Sequence, residues 1–132
     1  MLKCKLNITG HCLVTGSSSG IGKAIALEFA SKGVPIVAIS NDKRALVKLK
    51  NEITSVFDVD CYILNKDLLD EKSPLEIYQW CMDNKIDVQI LINNIGQGCS
   101  GSFEDSCEKF NEALVRLNLF PMLQLTRFFY PL

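Results

Sequence analysis

A single histidine and a single tryptophan stand in the 132 residues. One imidazole cannot anchor a histidine cluster. The six cysteines, Cys4, Cys12, Cys61, Cys81, Cys99 and Cys107, include no C-x-x-C pair. A metal site is therefore not expected. Neither sign of charge is in excess: 14 Lys and Arg against 15 Asp and Glu leave a net charge of −1. That balance offers nothing to nucleic acid or to an anionic membrane surface. No uninterrupted apolar stretch approaches the roughly 18 residues of a membrane span. The start, Met1-Leu2-Lys3-Cys4-Lys5-Leu6-Asn7, lacks the apolar core of a signal peptide. The expected compartment is cytoplasmic. There Cys12 and Cys61, set in apolar runs, stay reduced as small core residues, and the glycosylation sequon Asn7-Ile8-Thr9 has no meaning. No linker, internal repeat or low-complexity segment interrupts the chain.

What is present is a normal apolar share, 48%, on a chain long enough for one domain with a core. The pattern alternates strand and helix. Strands are predicted over residues 11–15, 35–40, 61–65 and 88–93. Helices are predicted over 20–32, 42–55, from Ser73 onward, and over 107–130. The second helix puts Leu46, Leu49 and Ile53 on one face. The third opens with Ser73-Pro74-Leu75-Glu76, a capping box with proline at the first position, and turns Ile77, Trp80 and Cys81 inward. Ser106 is the expected cap of the fourth. Such alternation implies an α/β fold, a doubly wound parallel sheet. Right-handed crossovers order its strands 3-2-1-4.

The chain is organised around Thr15-Gly16-Ser17-Ser18-Ser19-Gly20-Ile21-Gly22, which lies between the first strand and the first helix. A strand, a glycine turn and a helix N-terminus together suit a pyrophosphate. The P-loop spacing fails twice, at Ser17 and Ala24. The G-x-G-x-x-G spacing from Gly20 fails at Ile25. What stands is T-G-x-x-x-G-x-G. Three further stretches fall at the same sheet edge: Ser40-Asn41-Asp42-Lys43-Arg44, Asp67-Leu68 and Asn93-Asn94-Ile95-Gly96. Ligands of such sheets bind at that edge.

Together with Asn118 in the long helix, these stretches resemble the short-chain dehydrogenase/reductase family over nearly the whole chain. Within it, Gly96, Gly98, Gly101 and Phe103 resemble the acyl- and steroid-ketone reductase branch. The resemblance implies a Rossmann-like nucleotide-binding domain. It implies that Gly16, Ser17, Ser18, Ser19, Gly20, Ile21 and Gly22 wrap the pyrophosphate and adenosine ribose. Asp67 would accept from the adenine amino group, with Leu68 on the ring. Asn93 would meet the adenosine half, Gly96 would let the backbone approach, and Asn94 would tie the strands together. Ile95 stands where the family usually has Ala. Pro121 cannot donate to the Leu117 carbonyl, so a kink and a free carbonyl are expected beside Asn118. Those groups would hold a water of the family's proton relay.

The implied reaction is hydride transfer between a nicotinamide and a small-molecule carbonyl or alcohol. The family's catalytic Ser and Tyr-x-x-x-Lys follow the Asn-bearing helix. Here the sequence ends at Phe129-Tyr130-Pro131-Leu132, before either. Residues 1–132 therefore read as a partial NAD(P)-binding domain, truncated before strand five and inactive alone. The alternative is a non-catalytic nucleotide-binding or interaction module. Tyr62-Ile63-Leu64-Asn65-Lys66 matches Tyr-x-x-x-Lys in letters only. Four residues rise roughly 6 Å on a helix but span roughly 13 Å on the strand expected here.

NAD-preferring members carry an acid at the tip of strand two. Here Ser40 and Asn41 stand there, with Lys43 and Arg44 close by, so NADP is expected over NAD. Asp42 and the uncharged Ser19 weigh the other way. An open edge on strand four and a stripe of Phe110, Leu114, Leu117, Leu125 and Phe128 lead us to expect a homo-oligomer.

Overall fold

The computed structural model describes residues 8–130. Cys4 and the sequon's Asn7 lie outside the described residues. Eight principal elements follow in order: β1 (His11–Thr15), α1 (Gly20–Ser31), β2 (Ile36–Ser40), α2 (Lys43–Phe57), β3 (Cys61–Asn65), α3 (Ser73–Asp83), β4 (Val88–Ile92) and α4 (Glu108–Phe129). A 3₁₀ turn, Phe103–Asp105, precedes α4. The strands are parallel and ordered β3-β2-β1-β4.

The period of two along β1 explains the layering. Cys12 and Val14 face one side, where they pack with Ala26, Ala30, Leu46 and Ile53 beneath α1 and α2. Leu13 faces the other side, with Val37, Ile39, Ile77, Cys81, Leu117 and Leu125 beneath α3 and α4. Both faces are covered, so β1 and β2 read as nearly unbroken apolar runs. On α1, Gly22, Ala26 and Ala30 recur every fourth residue and make a smooth face against the strands. Asp42 caps α2 by accepting from the Ala45 N–H at 3.0 Å. Gly33, at φ +82°, follows α1.

Two expected caps are replaced. α3 begins at Ser73 itself, with Lys72 at the N-cap position. The Ser73 hydroxyl donates to the Asp67 carbonyl at 2.7 Å, and Glu76 pairs with Lys66. Before α4 the N-cap is Cys107, without a side-chain bond. Ser106 instead donates to the Phe103 carbonyl at 2.6 Å and accepts from Asn111 at 2.7 Å. The α4 stripe also differs from expectation. Leu117 and Leu125 are buried, and Phe128 stacks on Tyr78 with ring centroids 5.3 Å apart. Phe110 is exposed as expected, and the rest of the exposed apolar surface of α4 is made by Val115, Leu119, Phe120, Met122 and Leu123. α3 supplies the neighbour that the sequence pattern did not reveal.

Burial holds the thiols of Cys12, Cys61 and Cys81 well above the ordinary cysteine range, Cys12 at about 12 and the other two at about 11. Cys99 and Cys107 are exposed. No helix among the described residues is long and apolar enough to cross a membrane.

Candidate functional site

The C-terminal ends of all four strands meet at one edge, and the glycine turn lies at its centre. Gly16 adopts φ +65°, a region that L side chains rarely occupy. A Cβ on Gly22 would collide with the Gly16 carbonyl oxygen and the Asn94 amide. These two glycines let the turn fold back under the start of α1. Ser19 sits at the N-cap of α1 without a side-chain bond. The first-turn amides are thus left for an anion, at the positive end of the helix dipole.

The three serines divide. Ser17 is fully buried, and its N–H and hydroxyl both donate to the Ile39 carbonyl, at 3.2 and 3.3 Å. It locks the turn to β2. Ser18 accepts from the Ser40 hydroxyl at 2.7 Å, which leaves its own proton free. Ser19 is exposed, as are Gly20 and Ile21.

Asn94 ties the edge together. Its side chain donates to the carbonyls of Thr15 at 3.0 Å and Gly16 at 3.2 Å. The Thr15 hydroxyl accepts from the N–H groups of Asn94 and Ile95, at 3.0 and 3.1 Å, and lies 3.3 Å from the Ile92 carbonyl. Thr15 was not singled out as a site residue from the sequence. A hydroxyl at the end of an otherwise apolar strand was the available signal.

The remaining residues are placed as follows. Asn93 is exposed and donates to the Thr126 hydroxyl at 3.1 Å, so its side chain leans toward α4. Asp67 is exposed, and its carboxylate accepts from the Leu69 N–H at 3.0 Å. Leu68 is buried in the core on the α3 and α4 side. Ser40 is buried at the tip of β2, and Asn41 is exposed beyond it. Ile95 is half-buried, packed against the same core.

The Asn118 side chain is engaged at both ends. It donates to the carbonyls of Gln97 and Leu114, both at 2.8 Å, and accepts from the Gln97 N–H at 3.1 Å. A Cβ on Gly96 would stand 2.7 Å from its oxygen. Asn118 therefore clasps the loop that follows Asn93-Asn94. Both of its amide hydrogens are committed, which leaves Oδ1 with one acceptor site beyond the Gln97 N–H. Pro121, inside α4, gives the Leu117 carbonyl no N–H partner.

Tyr62 and Lys66 do not meet. Tyr62 lies on β3 between the rings of His11 and Trp80, 5.7 and 5.9 Å away. Lys66 pairs with Glu76. Among the described residues no three His, Cys, Asp or Glu side chains form a metal-holding group.

A family model described as short chain dehydrogenase matches residues 10–132. The very-long-chain 3-oxoacyl-CoA reductase of Eremothecium gossypii is 33% identical over 126 residues, 92% of this chain and 35% of that protein. An uncharacterized short-chain type dehydrogenase/reductase of Sinorhizobium fredii is 40% identical over 119 residues, 87% of this chain and 42% of its own. A short-chain dehydrogenase from Sphingobium yanoikuyae, solved in complex with NADPH, superposes with a TM-score of 0.85 at 30% identity, covering 92% of this chain and 47% of that one. This chain spans less than half the length of each of the three. It belongs to the short-chain dehydrogenase family and corresponds to an N-terminal portion of it.

Proposed function

We propose that this chain binds NADP and supplies the cofactor-binding half of an oxidoreductase that moves a hydride between nicotinamide and a carbonyl or alcohol. The observation that carries the reading is the glycine turn. It is held open by Gly16 and Gly22, locked by Asn94, and leads into a helix whose first amides have no side-chain cap. Such a cradle fits a pyrophosphate. When bound, the cofactor supplies the hydride chemistry.

The chain's own residues orient and select. Gly16, Gly20, Ile21 and Gly22 place backbone against the pyrophosphate, and Ser18 and Ser19 present hydroxyls. Asp67 is the acceptor for an adenine amino group, and Gly96 keeps the adjoining backbone low. Asn93 lies within reach of the adenosine half, and Asn94 positions the turn. Asn118 clasps the Gln97 peptide, while the Leu117 carbonyl is available to a relay water. At the tip of β2 the one nearby acid, Asp42, is spent capping α2. Lys43 and Arg44 are exposed, and neither forms an ion pair among the described residues. That surface favours a 2′-phosphate over a bare ribose hydroxyl. The Sphingobium yanoikuyae relative, solved with NADPH, supports the same choice.

The name of the Eremothecium gossypii relative, together with Gly96, Gly98, Gly101 and Phe103, makes a 3-oxoacyl thioester the first carbonyl to test. Titration of NADPH and NADH, followed by nucleotide fluorescence, tests the cofactor. Tighter binding of NADPH is expected, and equal or tighter binding of NADH would falsify it. No turnover is expected from these 132 residues. Steady NADPH oxidation by them with a ketone would overturn the half-domain reading.

A further inference from the structure

We infer that Asn65, which lies outside the glycine and Asn-Asn motifs, is a positioning residue. It aims the main-chain N–H of Asn41 at the ribose 2′ position and so sets the preference for NADP. The inference rests on the cofactor reading above.

Backbone groups alternate along β2. The carbonyls of Pro35 and Ile39 accept from Cys12 and Ser17, on the β1 side. The Ile36 N–H and the Ser40 carbonyl pair with Asp60 and Lys66, on the β3 side. The described chain has no cis peptide bond, and in a trans peptide the carbonyl and the following N–H point in opposite directions. With the Ser40 carbonyl directed at β3, the Asn41 N–H is directed toward β1. But β1 ends at Thr15, and the turn that follows keeps to the side of β2 only through Ser17 and Ser18, which bond to Ile39 and Ser40. No acceptor among the described residues takes the Asn41 N–H, and Asn41 is exposed. A backbone donor therefore points into the space beside the glycine turn.

Asn65 fixes that aim. Its side-chain amide donates to the Ser40 carbonyl at 3.0 Å, alongside the Lys66 N–H at 2.9 Å. The ladder bond alone anchors the carbonyl to one strand position. The second donor removes the remaining tilt of the Ser40–Asn41 peptide. The Ser40 hydroxyl is already committed, donating to Ser18 and accepting from the Asp42 N–H at 3.1 Å. The Ser18 hydroxyl and the exposed Lys43 and Arg44 side chains can also turn toward a ligand here, but among the main-chain groups at this tip the Asn41 N–H is the donor that a neighbouring strand fixes in direction. A hydrogen bond to a charged oxygen is roughly twice as strong as one to a neutral hydroxyl. A well-aimed donor therefore discriminates for the phosphate.

The test measures the affinity of the unmutated chain, Asn65→Leu and Asn65→Ala for four probes: NADPH, NADH, adenosine 2′,5′-bisphosphate and 5′-AMP. Leu keeps the size and removes the donor. Ala gives a second variant should Leu disturb folding, and thermal midpoints report that directly. In both variants NADPH and the bisphosphate should bind about tenfold more weakly, while NADH and 5′-AMP stay within about twofold. A merely structural role lowers all four alike. A uniform loss, or an unchanged NADPH-to-NADH ratio, overturns the assignment of Asn65. Failure of the unmutated chain to bind NADPH overturns the cofactor reading and this inference with it.

Discussion

Two substitutions separate what the turn requires from what merely spells a motif. Gly22→Ala drives a Cβ into the Gly16 carbonyl. Backbone cannot yield as a flexible side chain does, so we expect a loss of about 1–3 kcal/mol and loss of nucleotide binding. Tyr62→Phe removes only a hydroxyl, since the contacts of Tyr62 are with the rings of His11 and Trp80. Melting curves and NADPH titration should leave Tyr62→Phe close to the parent and single out Gly22→Ala. The reverse order would mean that the Tyr-x-x-x-Lys letters carry the function. At this scale the sequence was legible where backbone sterics decide, as at Gly16 and Gly22, whereas the tie made by Asn94 was legible only through the family resemblance. It gave little at Thr15 and nothing at Asn65, and at Ser73 its capping pattern misled. The partners of these residues are main-chain groups distant in sequence, which a local pattern does not identify.

Among the elements, β4 is the exposed edge beside the site. Val88, Ile90, Leu91 and Ile92 are only half-buried, and the strand carries no charge or proline to block pairing. Beside it, Asn93, Met122, Leu123, Thr126, Arg127 and Tyr130 line an open, largely apolar hollow. We expect these 132 residues to self-associate at micromolar concentration, and Leu123→Lys to raise the monomer share. A clean monomer in sedimentation would count against both surfaces. Strand boundaries were legible to within a residue because buried β-rich runs end abruptly at glycine, proline or polar residues. The α4 face was not. Helical periodicity gives a stripe without saying which neighbour it meets, and here Tyr78 and Ile77 on α3 claim the side expected to be bare. Ser73 and Glu76 satisfy a cap pattern locally, yet Asp67 and Lys66 compete for them successfully.

For the whole molecule, the buried thiols set an alkaline limit. Folded Cys12 titrates at about 12, and Cys61 and Cys81 at about 11, against an ordinary value of 9.0. The folded state therefore holds protons that the unfolded chain releases first. Their contribution is intact below pH 9 and is lost as pH rises from there toward 11 and 12. Thermal midpoints should fall over that window. In neutral buffer, maleimide should label Cys99 and Cys107 and spare the three buried thiols until unfolding. Labelling of Cys12 in the folded protein would show that the α1–α2 side of the core opens.

The tie between Thr15 and Asn94 has a consequence for how the molecule comes into being. It joins positions 79 apart in sequence, and β2, α2, β3 and α3 all lie between them. Loops of that length close late, since their entropy is lost before the contact repays it. α1 and the first two strands can form from neighbours in sequence, whereas the cradle cannot. It exists only once β4 has docked on β1, so the capacity to hold a dinucleotide depends on that distant pairing and is lost when β4 frays.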